Sequence, residues 1–82
     1  MPKRNTPYRP TRLPGKLRAI RTRLGLSQSQ LTKRLEFSVS SARISEYEHG
    51  VRIPSLLVLL RYAQIAGVHM ETLVDDGADL PK

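Results

Sequence analysis

Apolar residues recur along most of this chain at the three-and-four spacing that lines one face of a helix, and nowhere do they alternate with a period of two between hairpin turns. Leu13, Leu17, Ile20 and Leu24 form the first stripe. They predict a helix over 13–24, with Gly25 as its stop. Pro14 is compatible with the first turn, where amides have no intrahelical acceptor, and Thr11 is the N-cap on offer. The next stretch, LSQSQL, carries a complete start signal: Ser27 caps, Gln30 closes a capping box, and Leu26 staples onto Leu31, predicting a helix over 28–35. Ser40 as N-cap, with Val39 and Ile44 as a second staple, predicts a third helix over 41–49, ended by Gly50. Pro54 and Ser55 open a fourth, LLVLLRYAQIA, which stops at Gly67. It is apolar nearly all the way round and is expected to be buried on more than one side. A last turn over 70–74 precedes the polar run DDGADLPK. The pattern predicts an all-α domain of five short helices.

Two short helices joined by a tight connection, the second fronted by small polar residues, can put a helix N-terminus into a major groove. Ordinary helical bundles contain such pairs too. In the third helix Ile44 and Tyr47 point inward, which leaves Ser40, Ser41, Ala42, Arg43, Ser45 and Glu46 around the exposed face as candidate base readers. An arginine such as Arg43 can fork onto guanine O6 and N7, Glu46 can accept from cytosine N4, and the serines can reach several base edges or phosphates. A phosphate contact or an intrahelical ion pair is equally open to Arg43.

Charge sharpens this picture. Of 82 residues, 14 are Lys or Arg against 7 Asp or Glu, a formal charge of +7 that favours a polyanion: nucleic acid first, an anionic membrane second. The basic residues gather in the N-terminal half, whereas Glu71, Asp75, Asp76 and Asp79 crowd the end, so the basic half is expected to face the polyanion. Residues 1–10 hold Pro2, Pro7 and Pro10 and no apolar period, reading as a basic extended arm. Its Lys3, Arg4 and Arg9 can enter a minor groove or remain disordered. Residues 11–76 are expected to form the DNA-binding domain, and 77–82 a short polar tail.

Other chemistries find little support. Without cysteine there is no disulfide, thiolate zinc site or thiol nucleophile. The two histidines lack ligand partners at a recognisable spacing, so neither metal nor cofactor is expected. The serines lack the His and Asp order of a triad, and the scattered tyrosines make no stacking platform, so neither an enzyme nor a single-strand binder is expected. No apolar run approaches the roughly 20 residues of a membrane span, and no secretory leader is evident, which makes the cytoplasm the expected compartment.

The segments LRAIRTRLGLSQSQLTKRL, RISEYEHGVRIPSL and LLRYAQIAGVHMETLV together resemble the lambda and 434 repressor family, the Cro-like or xenobiotic-response-element-like helix-turn-helix domains, over about residues 13–74. The joined signals are Gly25 to Gln28 with Leu31, then Ile44, Glu48 and Gly50, then Pro54 and Ser55, then Ala66 to Val68. The resemblance implies a lambda-repressor-like fold and a sequence-specific regulator of transcription, a repressor that binds a palindromic operator in duplex DNA as a homodimer. It implies phosphate contacts from Arg21, Ser27, Gln28, His49 and Arg52, and a pairing of Arg21 with Glu48 that locks the motif. The excess apolar surface of the fourth helix points to a two-fold interface that includes Leu73 or Val74. The same fold also serves as an antitoxin, which masks a toxin-like protein partner and binds its own operator; that is the alternative reading.

Three features depart from the family. The connection EFSVSSAR is about two residues longer than usual, which leaves open whether Ser40 or Ser41 takes the reading position in place of Arg43. His49 stands where Asn is usual, and His69 where Ser commonly caps the last helix.

Overall fold

In the computed structural model, residues 10–36 and 38–81 are described. They form the helices Leu13–Arg23 (α1), Gln28–Leu35 (α2), Ser41–Glu48 (α3), Leu56–Ala66 (α4) and Met70–Val74 (α5). No strand occurs among the described residues. The local signals act as read. Ser27 Oγ accepts from the Gln30 amide at 3.1 Å while Gln30 Oε1 accepts from the Ser27 amide at 2.8 Å, the reciprocal capping box. Ser40 caps α3 and Ser55 caps α4 in the same way, accepting from Arg43 N at 3.1 Å and Val58 N at 3.3 Å. α3 therefore begins at Ser41, after the Ser40 cap.

α2 ends differently. Glu36 takes the left-handed conformation, φ 62°, that usually falls to glycine, at a cost of about 1 kcal/mol. Its carboxylate meets Arg61 of α4 at 2.9 Å, and Arg61 Nε also donates to the carbonyl of Arg34 at 3.3 Å. A cation from α4 thus sits at the negative end of the α2 dipole.

The start of α1 corrects one expectation. Arg12, not Thr11, occupies the N-cap position, and it makes no side-chain cap. A carboxylate from the far end of the chain replaces it: Asp76 accepts from the amides of Thr11 and Arg12, both at 3.0 Å, and from the Thr11 hydroxyl at 2.9 Å. An anion at a helix N-terminus gains from both the unpaired amides and the dipole, which a neutral hydroxyl does less well.

The residues after α5 continue along α1. Arg12 donates to Asp76 O at 2.7 Å and pairs with Asp79, Arg23 donates to Pro81 O at 2.6 Å, and Leu80 packs half-buried against the core. Lys16 is buried between these elements, its Nζ donating to Thr72 O at 2.7 Å and Asp75 O at 2.8 Å, where it caps the C-terminal end of α5. The basic first helix and the acidic end of the chain therefore meet one another.

α1 packs on α3, α4 and α5, and α2 packs on α3 and α4. Their shared core encloses Leu17, Leu31, Leu35, Ile44, Tyr62 and Leu73 completely. Each of these aliphatic side chains contributes about 2 kcal/mol by leaving water. Leu73 has no surface left to offer, which corrects its expected place at a dimer interface; Val74 is half-buried. α4 buries one side, through Val58, Leu59, Tyr62 and Ala63. Its other side is not covered by the described residues: Leu56 is 69% exposed, Leu57 59% and Leu60 39%.

Candidate nucleic-acid interface

α2 and α3 are held against α1 by one buried carboxylate. Glu48, at the end of α3, accepts from Arg21 of α1 through two parallel bonds, Nε to Oε2 at 2.7 Å and Nη2 to Oε1 at 3.0 Å. Arg21 Nη1 also donates to the Leu26 carbonyl at 3.0 Å, just before α2, and Gln28 Nε2 reaches Glu48 Oε1 at 3.4 Å. The Glu48 side chain is 2% exposed, so this two-pronged charged pair replaces its water shell and fixes how α3 lies relative to α1 and α2. The carboxylate in turn holds the Arg21 guanidinium pKa above its ordinary value. The adjacent Tyr62 phenol is enclosed with no hydrogen-bond partner among the described residues, and burial pushes its pKa up.

With Ile44, Tyr47 and Glu48 turned inward, the first half of α3 faces outward. Ser40, Ala42 and Arg43 are exposed; Ser41, Ser45 and Glu46 are half-exposed. The six residues selected as base readers thus share an accessible surface, although several are already engaged. Ser40 Oγ is the α3 cap, and Glu46 Oε1 lies 3.2 Å from Arg43 Nε and 3.1 Å from Arg52 Nε.

The residues selected for phosphate contact divide. Arg52 is half-exposed beyond α3, while Arg21 has most of its donors committed to Glu48 and Leu26. Ser27 is exposed, but its hydroxyl serves the capping box. Gln28 is half-buried with its amide group turned to Glu48, so at this end of α2 the remaining donors are the first-turn amides of Gln28 and Ser29, which have no intrahelical acceptor.

The amides around His49, a residue for which the resemblance implies a phosphate contact, turn back onto α3. Gly50 takes φ +74° and closes α3, so that the amides of His49, Gly50 and Val51 bond back to Ser45 O, Tyr47 O and Glu46 O. His49 Nδ1 also lies 2.8 Å from Ser45 O, which leaves Nε2 as the outward ring nitrogen of an exposed side chain. Lys3, Arg4 and Arg9 lie outside the described residues.

One organising residue escaped the sequence reading, and a second was selected for another role. Lys16 had a signal, since it falls three after Leu13 and four before Ile20 and so lies on the apolar stripe of α1. Glu46 was selected as a base reader, and its link to Arg52 had no signal, because that arginine lies beyond a turn. No group of three or more His, Cys, Asp or Glu with metal-binding geometry occurs among the described residues. None of the helices there is long and apolar enough to cross a membrane.

A short helix pair locked to a helical core, with a polar N-terminal half of the second helix turned outward, defines a helix-turn-helix domain. Residues 17–73 match the helix-turn-helix family, a span reaching from α1 into α5. The chain belongs to that family, in its lambda repressor and Cro-like branch, a family of DNA-binding regulatory domains. No curated protein matches the chain closely enough to assign it further.

Proposed function

We propose that this protein is a cytoplasmic repressor that binds a palindromic operator in duplex DNA as a homodimer, with α3 in the major groove. The observation that carries the reading is the outward, uncovered face of Ser40 to Glu46 on a helix whose tilt is fixed by Arg21 and Glu48. In this reading Arg43 is the main base reader. Arg52 and the amides of Gln28 and Ser29 at the start of α2 hold phosphates, which position the domain without reading sequence. Because α3 begins at Ser41, Arg43 lies in its first turn, the part of a recognition helix that enters the groove. Ser40 and Ser41 precede it and reach the backbone or a neighbouring base edge.

The second copy docks on α4. Leu56, Leu57 and Leu60 stand out from that helix, and Val51 and Ile53 are exposed on the preceding loop. A face of this kind on so small a domain favours a partner, and a two-fold axis through it would make the contact isologous, the same patch meeting itself.

Selection of duplexes from a random-sequence library by the full chain tests both parts. The expected product is an inverted repeat whose half-site centres lie about 10 bp apart. No enrichment would contradict DNA reading. An isolated half-site, bound by a chain that sediments as a monomer, would contradict the homodimer and favour a different protein partner on α4, as in an antitoxin.

A further inference from the structure

One carboxylate oxygen on the outward face serves two arginines. Glu46 Oε1 lies 3.2 Å from Nε of Arg43, three residues earlier on α3, and accepts from Nε of Arg52 at 3.1 Å. The main chain of the same residue holds the loop: Glu46 O accepts from Val51 N at 2.9 Å and from Arg52 N at 3.4 Å. Arg52 is therefore tied to Glu46 twice, by its amide and by its guanidinium, while Arg43 is drawn to the same point.

We infer that Glu46 is a positioning residue that sets specificity, holding Arg43 and Arg52 in register with each other on the DNA face; the inference rests on the DNA-binding reading above. The side chains are roughly 40–50% exposed, so the ion pairs add little to stability, and their consequence is geometric. A bond through Nε leaves the terminal Nη groups of each guanidinium for another partner. A tethered arginine meets a base or phosphate only where the duplex is seated in one register, whereas a released one can reach any nearby phosphate. The carboxylate also repels a misplaced phosphate. Glu46 thus weakens binding to arbitrary duplex more than binding to the preferred one, which is how a repulsive element produces discrimination. Its carboxylate is already shared by two cations, so it acts through Arg43 and Arg52 rather than by accepting from cytosine.

The test compares the full chain with Glu46→Ala, Glu46→Gln, Arg43→Ala and the double variant Arg43→Ala/Glu46→Ala. Each is titrated with the duplex selected by the unaltered chain and with a scrambled duplex of the same length. Glu46→Ala is expected to tighten binding to the scrambled duplex and to lower the ratio of the two affinities about tenfold, the scale of one good base contact. Its melting temperature should stay unchanged, and Glu46→Gln, which keeps an acceptor, should fall between. In the Arg43→Ala background the same substitution should alter the ratio by less than it does in the unaltered chain, because only the part that passes through Arg52 and the carboxylate's own charge remains. An unchanged ratio in Glu46→Ala would reduce the residue to a surface charge and overturn the inference. Equally, a loss confined to one base pair that persists without Arg43 would make Glu46 a direct reader. A chain that enriches no duplex at all would remove the DNA reading first, and this inference with it.

Discussion

Arg12, Lys16, Arg21 and Arg23, at or within α1, each meet oxygens of their own chain, whereas Arg43 and Arg52 share one carboxylate at a half-exposed surface. The two groups come from one basic sequence and do different work. Around α1, cations neutralise the carbonyl end of α5, the acidic residues that follow it and the buried Glu48. On the α3 face they remain accessible. A formal charge of +7 therefore describes how the whole chain attracts a polyanion, while the fold decides which cations reach it.

The largest effect that sharpens this contrast is on stability. Arg21→Ala leaves the Glu48 carboxylate enclosed without its cation and should cost about 3–5 kcal/mol in urea unfolding. A loss below about 1 kcal/mol would put the pair on a level with surface bridges and erase the distinction. Lys16→Met keeps the apolar stem but strips the donor from Thr72 O, whereas Asp75 O retains the Ala78 amide at 2.9 Å. A cost of about 1–3 kcal/mol follows from one orphaned carbonyl. An equally stable variant would show that water replaces the ammonium there.

How much of this was legible follows from the distances over which each signal acts. The capping box at Ser27 and the stops at Gly25, Gly50 and Gly67 work within a few residues, so period and residue type located the five helices closely. The cap on α1 is made by Asp76, 65 residues from Thr11, and no local pattern announces it. Glu36 was equally silent, since a glutamate in the left-handed position looks like any other in sequence. For α4 the sequence showed too much apolar surface without showing which side the chain itself would cover, and Leu73 was misplaced for that reason. In the site, the outward face of α3 followed from helical geometry. The pairing of Arg21 with Glu48 came from family resemblance, and the sharing of Glu46 needed the path of the loop after Gly50.

A smaller effect concerns pH at the α1 end. The amides of Arg12 and Thr11 hold the Asp76 carboxyl below the usual carboxylate range, and the Arg12 guanidinium does the same for Asp79. With folded-state values depressed, the unfolded chain binds protons first as pH falls. The stabilisation is complete above the unfolded value of about 3.9 and is lost as pH drops through the folded value. The melting temperature should hold between about pH 7 and 5 and fall below about pH 4, and Asp76→Asn should flatten part of that fall. An identical acid profile in the variant would contradict a role for this cap.

The contrast between the two sets of cations is tested most directly by the salt dependence of duplex binding in the unaltered chain, Arg52→Ala and Arg23→Ala. Log affinity should fall linearly with log salt for the unaltered chain, since each phosphate contact releases counterions. The slope should become shallower by about 1 in Arg52→Ala and stay unchanged in Arg23→Ala, whose guanidinium serves the Pro81 carbonyl. A shallower slope in Arg23→Ala with none in Arg52→Ala would place the DNA on α1, and a flat line for the unaltered chain would remove duplex DNA as the ligand.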